Sequence, residues 1–231
     1  MKPRPRKGAS PAELEYRRTL RRALSDVQAQ IYRYLEPKIE AYAKRTDALP
    51  SRFSVAVDPK ELDRVFGRVD KTNEAEQKRL IGIKTQVPKR LLASFRKENV
   101  TLIKSLADYQ LNEISDILDE GFATGKRVET IRKEIEDKFS VARSKADLLA
   151  RDQVLKLNAD MAQARQAAAG ITEYVWSASA DERVRDMHLS LDGSRQSWDD
   201  PPATNEAGDT NHPGQDYQCR CVAIPVLPWE E

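Results

Sequence analysis

GITEYVWS, residues 170–177, is where this chain changes architecture. Apolar residues before it recur at helical spacing; at Gly170 that spacing stops, and Tyr174, Val175 and Trp176, all strand formers, predict a β-strand. Upstream, residues 142–170 read as a long helix with Leu148, Leu149, Val154, Leu155, Leu157 and Met161 inside. A shorter helix carrying Val128, Ile131, Ile135 and Phe139 precedes it. Leu102, Ile103, Leu106, Leu111, Ile114, Ile117 and Leu118 give the apolar face of another helix from near Val100, closed by Gly121 and Gly125, with a separate helix starting near Pro88. Asp58-Pro59 starts a polar helix with Val65, Phe66, Val69, Leu80 and Ile83 inside, and residues 51–57 read as a short strand or an extended linker. Ser10 and Pro11 open a long amphipathic helix, bent or ended near Pro37, with Leu20, Leu24, Val27, Ile31 and Leu35 on one face. Tyr32, Tyr34 and Tyr42 fit a helix-helix seam better than an aromatic binding stripe.

Downstream of residue 177, Asp181 is placed to cap a short helix, 181–191, that sets Arg185 and His188 one turn apart. Asp192-Gly193 signals a tight turn, and residues 194–198 a second strand. Residues 199–216 form a polar loop, and 220–225 an edge-type strand bounded by proline. The expected fold is mainly α with a small α+β C-terminal part: a flexible basic tail (1–10), a helical arm (11–98) and a C-terminal domain (99–226) whose β subregion is 171–226.

Composition agrees with long, solvent-washed helices in a soluble protein: 33% of the 231 residues are charged and 6% aromatic. The formal net charge of +2 sets up no global field, but the charge is unevenly spread. Lys2, Arg4, Arg6, Lys7, Arg17, Arg18, Arg21 and Arg22 crowd the first 22 residues against Glu13 and Glu15, while residues 196–216 carry five acids and no base. The basic start is a solubilising end or a phosphate-touching arm, with Lys2, Arg4, Arg6, Lys7, Arg17 and Arg18 as the contacts. No apolar segment follows Met1, so export through a signal peptide is not expected. The longest apolar run, 221–229, is too short for a bilayer and is broken by Pro225 and Pro228.

Both histidines and both cysteines lie in the last 44 residues: His188, His212, Cys219 and Cys221. Two nitrogens and two sulfurs suit tetrahedral zinc, and in an extended strand Cys219 and Cys221 point to the same face. Four protein ligands would make a closed, structural site that pins the polar loop. The competing reading is two buried thiols acting as small hydrophobes and two surface histidines. No phosphate-binding glycine loop, GxSxG or HExxH occurs, and Asp181, Asp186 and Asp192 lack a second acidic cluster for acid-base work. Catalytic residues are therefore not expected.

The run GITEYVWSASADERVRDMHLSLDG, followed by NHPGQDYQCRC, resembles the C-terminal part of the Mu F-like phage head morphogenesis family. The likeness is carried by Trp176, Asp181, Arg183, Arg185, His188, Asp192-Gly193, His212-Pro213-Gly214 and Cys219-Arg220-Cys221, in that order. Upstream, residues 121–139, the ARDQ of 150–153 and Asn158 are also similar, although Asp152-Gln153 stand where the family commonly has Thr-Glu. The resemblance covers about residues 99–226. It implies a minor head protein, not an enzyme, assembled in the host cytoplasm into the capsid interior. Its implied partners are the portal protein, other capsid or scaffold proteins and phage DNA, with no membrane. The face of Leu20, Leu24, Val27, Ile31 and Leu35 would suit docking on the portal. Two alternatives are a metal-dependent nucleic-acid hydrolase, suggested by His188 near Asp181 and Arg185, and a plain DNA-binding protein.

Overall fold

The computed structural model describes residues 9–42, 58–124, 126–179 and 183–228. The tail residues Lys2, Arg4, Arg6 and Lys7, the 51–57 segment and Asp181 lie outside them. Four helices form the body: α1 (Pro11–Tyr42), α2 (Pro59–Ile81), α3 (Lys89–Thr124) and α4 (Val128–Ala168). The C-terminal part holds β1 (Glu173–Ser177), α5 (Asp186–Ser190), β2 (Arg195–Ser197) and β3 (Val222–Pro225).

The helix starts follow local chemistry. Ser10 Oγ accepts the Glu13 N–H at 3.1 Å, capping α1, and Asp58 accepts the Lys60 N–H at 2.9 Å, capping α2. Gly82, with φ of 85°, closes α2 in the left-handed region. Two expected divisions are absent. α3 runs unbroken where two helices were expected, and α4 joins the 128–139 and 142–170 segments into one, because neither contains a glycine or proline able to interrupt it before Gly121 and Gly170. Nor does Gly121 close α3: it sits inside the helix, where an added Cβ would lie 2.7 Å from Ile131 Cδ1, so it is the point of close approach to α4. α1 likewise continues through Pro37 to Tyr42.

Two apolar clusters hold the helices together. The first joins Tyr16, Leu20 and Leu24 of α1, Leu62, Val65 and Phe66 of α2, Phe95 and Ile103 of α3, and Ala146, Ala150 and Leu157 of α4. The alanines of α4 let the other helices approach closely, and Phe66 meets both Tyr16 and Phe95 edge-on. The second joins Val27 and Ile31 of α1 to Ile114, Leu118, Ile131, Ile135 and Phe139, with Tyr32 5.8 Å from Phe139 at the seam. This corrects the docking-face expectation. Leu20, Leu24, Val27 and Ile31 are 0–4% exposed and already satisfied by the chain's own helices, so they offer no partner surface; the Leu35 side chain lies outside the described residues. Each gains roughly 1.5–3 kcal/mol from that burial.

A buried polar network crosses from α2 through α4 to the sheet. Arg165 donates to Asn73 Oδ1 at 3.0 Å, to the Thr85 carbonyl and to Asp70, while Asn73 Nδ2 donates to the Asn158 side chain at 3.1 Å. The next residue, Gln166, donates to Gln77 Oε1 at 3.1 Å and to the Ala223 carbonyl at 3.3 Å, and accepts from Trp198 Nε1 at 3.2 Å. The sheet has the order β2-β1-β3, all antiparallel, with Val175 opposite Arg195 and Ile224. β3 is thus an edge, as its prolines suggested, and Tyr174, Trp176, Trp198 and Ala223 form a third apolar cluster with both cysteines. No helix among the described residues is long and apolar enough to cross a membrane.

Candidate metal centre

Trp176 lies near the end of β1, fully buried. Its carbonyl accepts the Gly193 N–H at 2.8 Å and its N–H reaches the Ser194 carbonyl at 2.9 Å, while Asp192 Oδ1 accepts the Ala178 N–H at 2.8 Å. These bonds fold the Asp192-Gly193 turn against the strand. They bring α5 beneath it, with the His188 ring 5.5 Å from Trp176 and nearly perpendicular to it. The helix is shorter than the expected 181–191, starting only at Asp186, yet Arg185 and His188 do converge on one group. Asp216 Oδ2 lies 2.9 Å from Arg185 Nη1 and 3.2 Å from His188 Nε2.

With Nε2 engaged by Asp216, the other nitrogen faces the sulfurs. His188 Nδ1 is 3.4 Å from Cys219 Sγ and 3.6 Å from Cys221 Sγ. The three ligand atoms all lie within 4.8 Å of one another, and the residues are 2%, 3% and 4% exposed. The cysteines flank Arg220 just ahead of β3. Gln218, a non-glycine residue at φ of 55°, turns the chain into them, held by its N–H on Asp152 Oδ1 at 2.7 Å and its side-chain amide on the Leu148 carbonyl at 2.6 Å. A carboxylate on the far nitrogen of a ligating histidine fixes the ring for metal binding, and two thiols with one imidazole suit a soft or borderline cation. This His/Cys/Cys group could hold a metal ion.

The electrostatics favour that use. A hydrogen bond with Cys219 lowers the Cys221 thiol to about 7, while Cys219, which keeps the shared proton, is pushed up by that bond and by burial. The His188 pKa is raised, chiefly by its hydrogen bond with Cys219, against the effect of burial. A metal ion would displace the protons that this cluster otherwise shares. Both cysteines are free thiols.

His212 is not in that group. Its Nδ1 pairs with the Tyr174 hydroxyl at 3.0 Å, its ring packs 4.8 Å from Trp198, and its pKa is lowered by burial, partly offset by a backbone hydrogen bond with Trp198. The environment favours the neutral ring. A histidine depressed in the folded state binds fewer protons than in the unfolded chain, so its contribution is complete above about pH 6.5 and is lost on acidification through the folded value. His188, with its raised pKa, acts in the opposite sense in metal-free protein: its contribution is full below about pH 6.5 and fades as pH rises. The His212→Gln variant is therefore expected to lose less stability than the parent between pH 7.5 and 5.5, measured by urea denaturation at each pH. Equal losses would contradict this role.

The loop expected to need a metal pin is also tied by its own polar groups. Thr204 N–H bonds the Asp209 carbonyl at 2.8 Å, Asn205 and Asp209 bond each other at 2.8 and 3.0 Å, and Gln215 reaches Asp160 of α4 at 3.0 Å. Gly214, at φ of 87°, lets the loop press on α4, where a Cβ would meet Ala159 at 2.9 Å. Sequence reading missed Asp216, Asp152 and Gln218 as organisers of the centre; the carboxylate between His212 and Cys219 was the available signal. Of the described phosphate-contact candidates, Arg17 is paired with Glu13 at 2.8 Å and Arg18 is exposed.

Comparison with known proteins agrees with the sequence likeness. Residues 112–224 match the family model described as Phage Mu protein F like protein. An uncharacterized protein of Haemophilus influenzae (strain Rd) is 41% identical over 129 residues, covering 56% of this chain and 28% of that protein. Minor head protein GP7 of Bacillus phage SPP1 is 28% identical over 129 residues, covering 52% of this chain and 42% of that protein. The chain thus matches less than half the length of either relative. No solved structure matches it.

Proposed function

We propose, for a chain whose residues 112–224 belong to the Mu F-like head morphogenesis family, that it acts as a minor head protein inside the capsid, at the portal vertex and in contact with packaged DNA. The head-morphogenesis role follows from the family and from the likeness to a phage minor head protein. The portal, the other capsid or scaffold proteins and DNA are the partners this reading adds. The observation that carries a structural over a catalytic role is burial: His188, Cys219 and Cys221 are each at most 4% exposed, packed against Trp176 and Asp216, and the cavity that the two cysteines border is only about 50 Å³, too small for a substrate. Zinc is the cation proposed for them, acting as a structural tie between α5 and the start of β3. With the inner face of α1 consumed by the core, portal contact falls to the outer surface of the helices, and DNA contact to the basic residues at the N-terminus.

Co-expression with the portal protein of the same phage tests this. A stable complex on size-exclusion chromatography is expected, and a chain that never co-elutes with the portal would overturn the vertex assignment. Removal of residues 1–10 is expected to flatten the salt dependence of DNA binding by several counterions. The alternative, a metal-dependent nucleic-acid hydrolase, is favoured by one observation: the described residues supply three ligands rather than four, as catalytic zinc sites do. Zinc-dependent cleavage of DNA or RNA, lost in His188→Ala, would establish it.

A further inference from the structure

A concavity of about 560 Å³ opens between the N-terminus of α1, the middle of α2 and α4, and the β1–β3 side of the sheet. That volume falls in the range of roughly 300–1,000 Å³ typical of small-ligand sites. It is separate from the trio, although Arg220, between the two thiols, belongs to its wall.

The wall carries five bases against two acids. Of the acids, Glu13 is already matched by Arg17 at 2.8 Å and Arg151 at 3.4 Å, leaving Glu76 as the lining carboxylate without an ion-pair partner among the described residues. Lys71 is also unpaired among the described residues. Ser177, the last residue of β1, is 7% exposed, lines the cavity, and has a hydroxyl with no hydrogen-bond partner among the described residues. Asn158 accepts from Asn73 through Oδ1, which leaves its amide N–H groups as donors on the same wall. The first turn of α1 adds the positive end of a 32-residue helix, where Ala12 N–H has no partner within the helix.

These groups have one chemistry in common: ammonium, guanidinium, amide N–H, hydroxyl and helix N-terminus all donate hydrogen bonds or carry positive charge. A phosphate offers acceptors and negative charge alone. Val69, Val154, Leu155 and Val222 supply an apolar flank against which a non-phosphate moiety can pack. We propose that this cavity binds a small phosphorylated ligand of mononucleotide size, its phosphate lying among Lys71, Ser177, Asn158 and the start of α1. A duplex is too wide to enter, so the site is distinct from any contact with packaged DNA. Arg151, Asn158, Arg183 and Arg220, four residues that carry the sequence likeness, all line it, which gives those positions a shared chemical purpose.

Titration calorimetry on the full chain tests this at constant ionic strength, with inorganic phosphate, a nucleoside monophosphate, the unphosphorylated nucleoside and an eight-nucleotide single strand as probes. Saturable binding of one monophosphate per chain is expected, at least tenfold tighter than the nucleoside. Ser177→Ala and Lys71→Ala should each weaken it by roughly tenfold while leaving the unliganded melting temperature within a few degrees, and Arg132→Ala, an exposed cation elsewhere on α4, should leave it unchanged. Saturable phosphate binding without nucleoside discrimination would place free phosphate in the site and overturn the mononucleotide size. Absence of saturation by both phosphate-bearing probes at millimolar concentration, or equal affinity in the Ser177 and Lys71 variants, would overturn the site altogether. Binding of the single strand alone would reassign the basic wall to a surface contact.

Discussion

Arg165→Met is expected to lower folding stability by about 3–5 kcal/mol, the loss typical of removing one partner from a buried charged network. Arg165 is 2% exposed, and its guanidinium bonds Asn73 Oδ1, the Thr85 carbonyl and Asp70 together. Methionine fills much of the volume but strands two acceptors and a carboxylate. Because the Asp70 side chain keeps 32% of its exposure, water recovers part of its solvation, and the low end of the range is expected. Arg165→Lys should fall between the two, since an ammonium cannot span three acceptors in one plane. Adding Asp70→Asn to Arg165→Met should restore the share owed to the stranded charge. Urea denaturation followed by far-UV circular dichroism reads these differences; a loss below about 1 kcal/mol would mean the network contributes little beyond filling space.

Cys221→Ser, like chelation of the wild-type protein, is expected to release bound zinc and loosen the 171–226 region while the four-helix body stays folded. Zinc at a hundredfold excess over its dissociation constant would stabilise the folded state by about 2.7 kcal/mol, and tighter binding by more. Two signals separate the region from the body. Trp176 packs on His188 and Trp198 on His212, so tryptophan fluorescence should change, whereas helical circular dichroism, dominated by α1 to α4, should barely move. Cys219→Ser and His188→Ala should behave alike. His212→Gln should keep one zinc per chain by elemental analysis, because that ring is engaged by Tyr174 and Trp198. Loss of zinc in His212→Gln would return His212 to the ligand set; zinc retained by all four variants would remove the trio from metal binding.

The break at Gly170, the caps at Ser10 and Asp58 and the strand around Trp176 are local facts. Each follows from a backbone preference or a residue spacing that needs no distant partner. Gly121 shows the opposite case: it looks like a helix stop, but its meaning depends on Ile131 of the next helix pressing against it. The boundaries near Val100 and Val141 failed because a change in apolar pattern is not a change in backbone; without a glycine or proline the helix simply continues.

By itself, then, the sequence determined a helical body, its passage into a small sheet, and a C-terminal store of soft ligands. Only the tertiary structure decided which partners those elements take. It turned the apolar face of α1 inward, divided the histidines into one facing the sulfurs and one held by Tyr174, and closed Arg165 on groups 80 to 95 residues away in the chain. The physical reason is range: caps and strand propensity act over a few residues, whereas burial, ion pairing and ligand convergence depend on distances that exist only after the helices have packed.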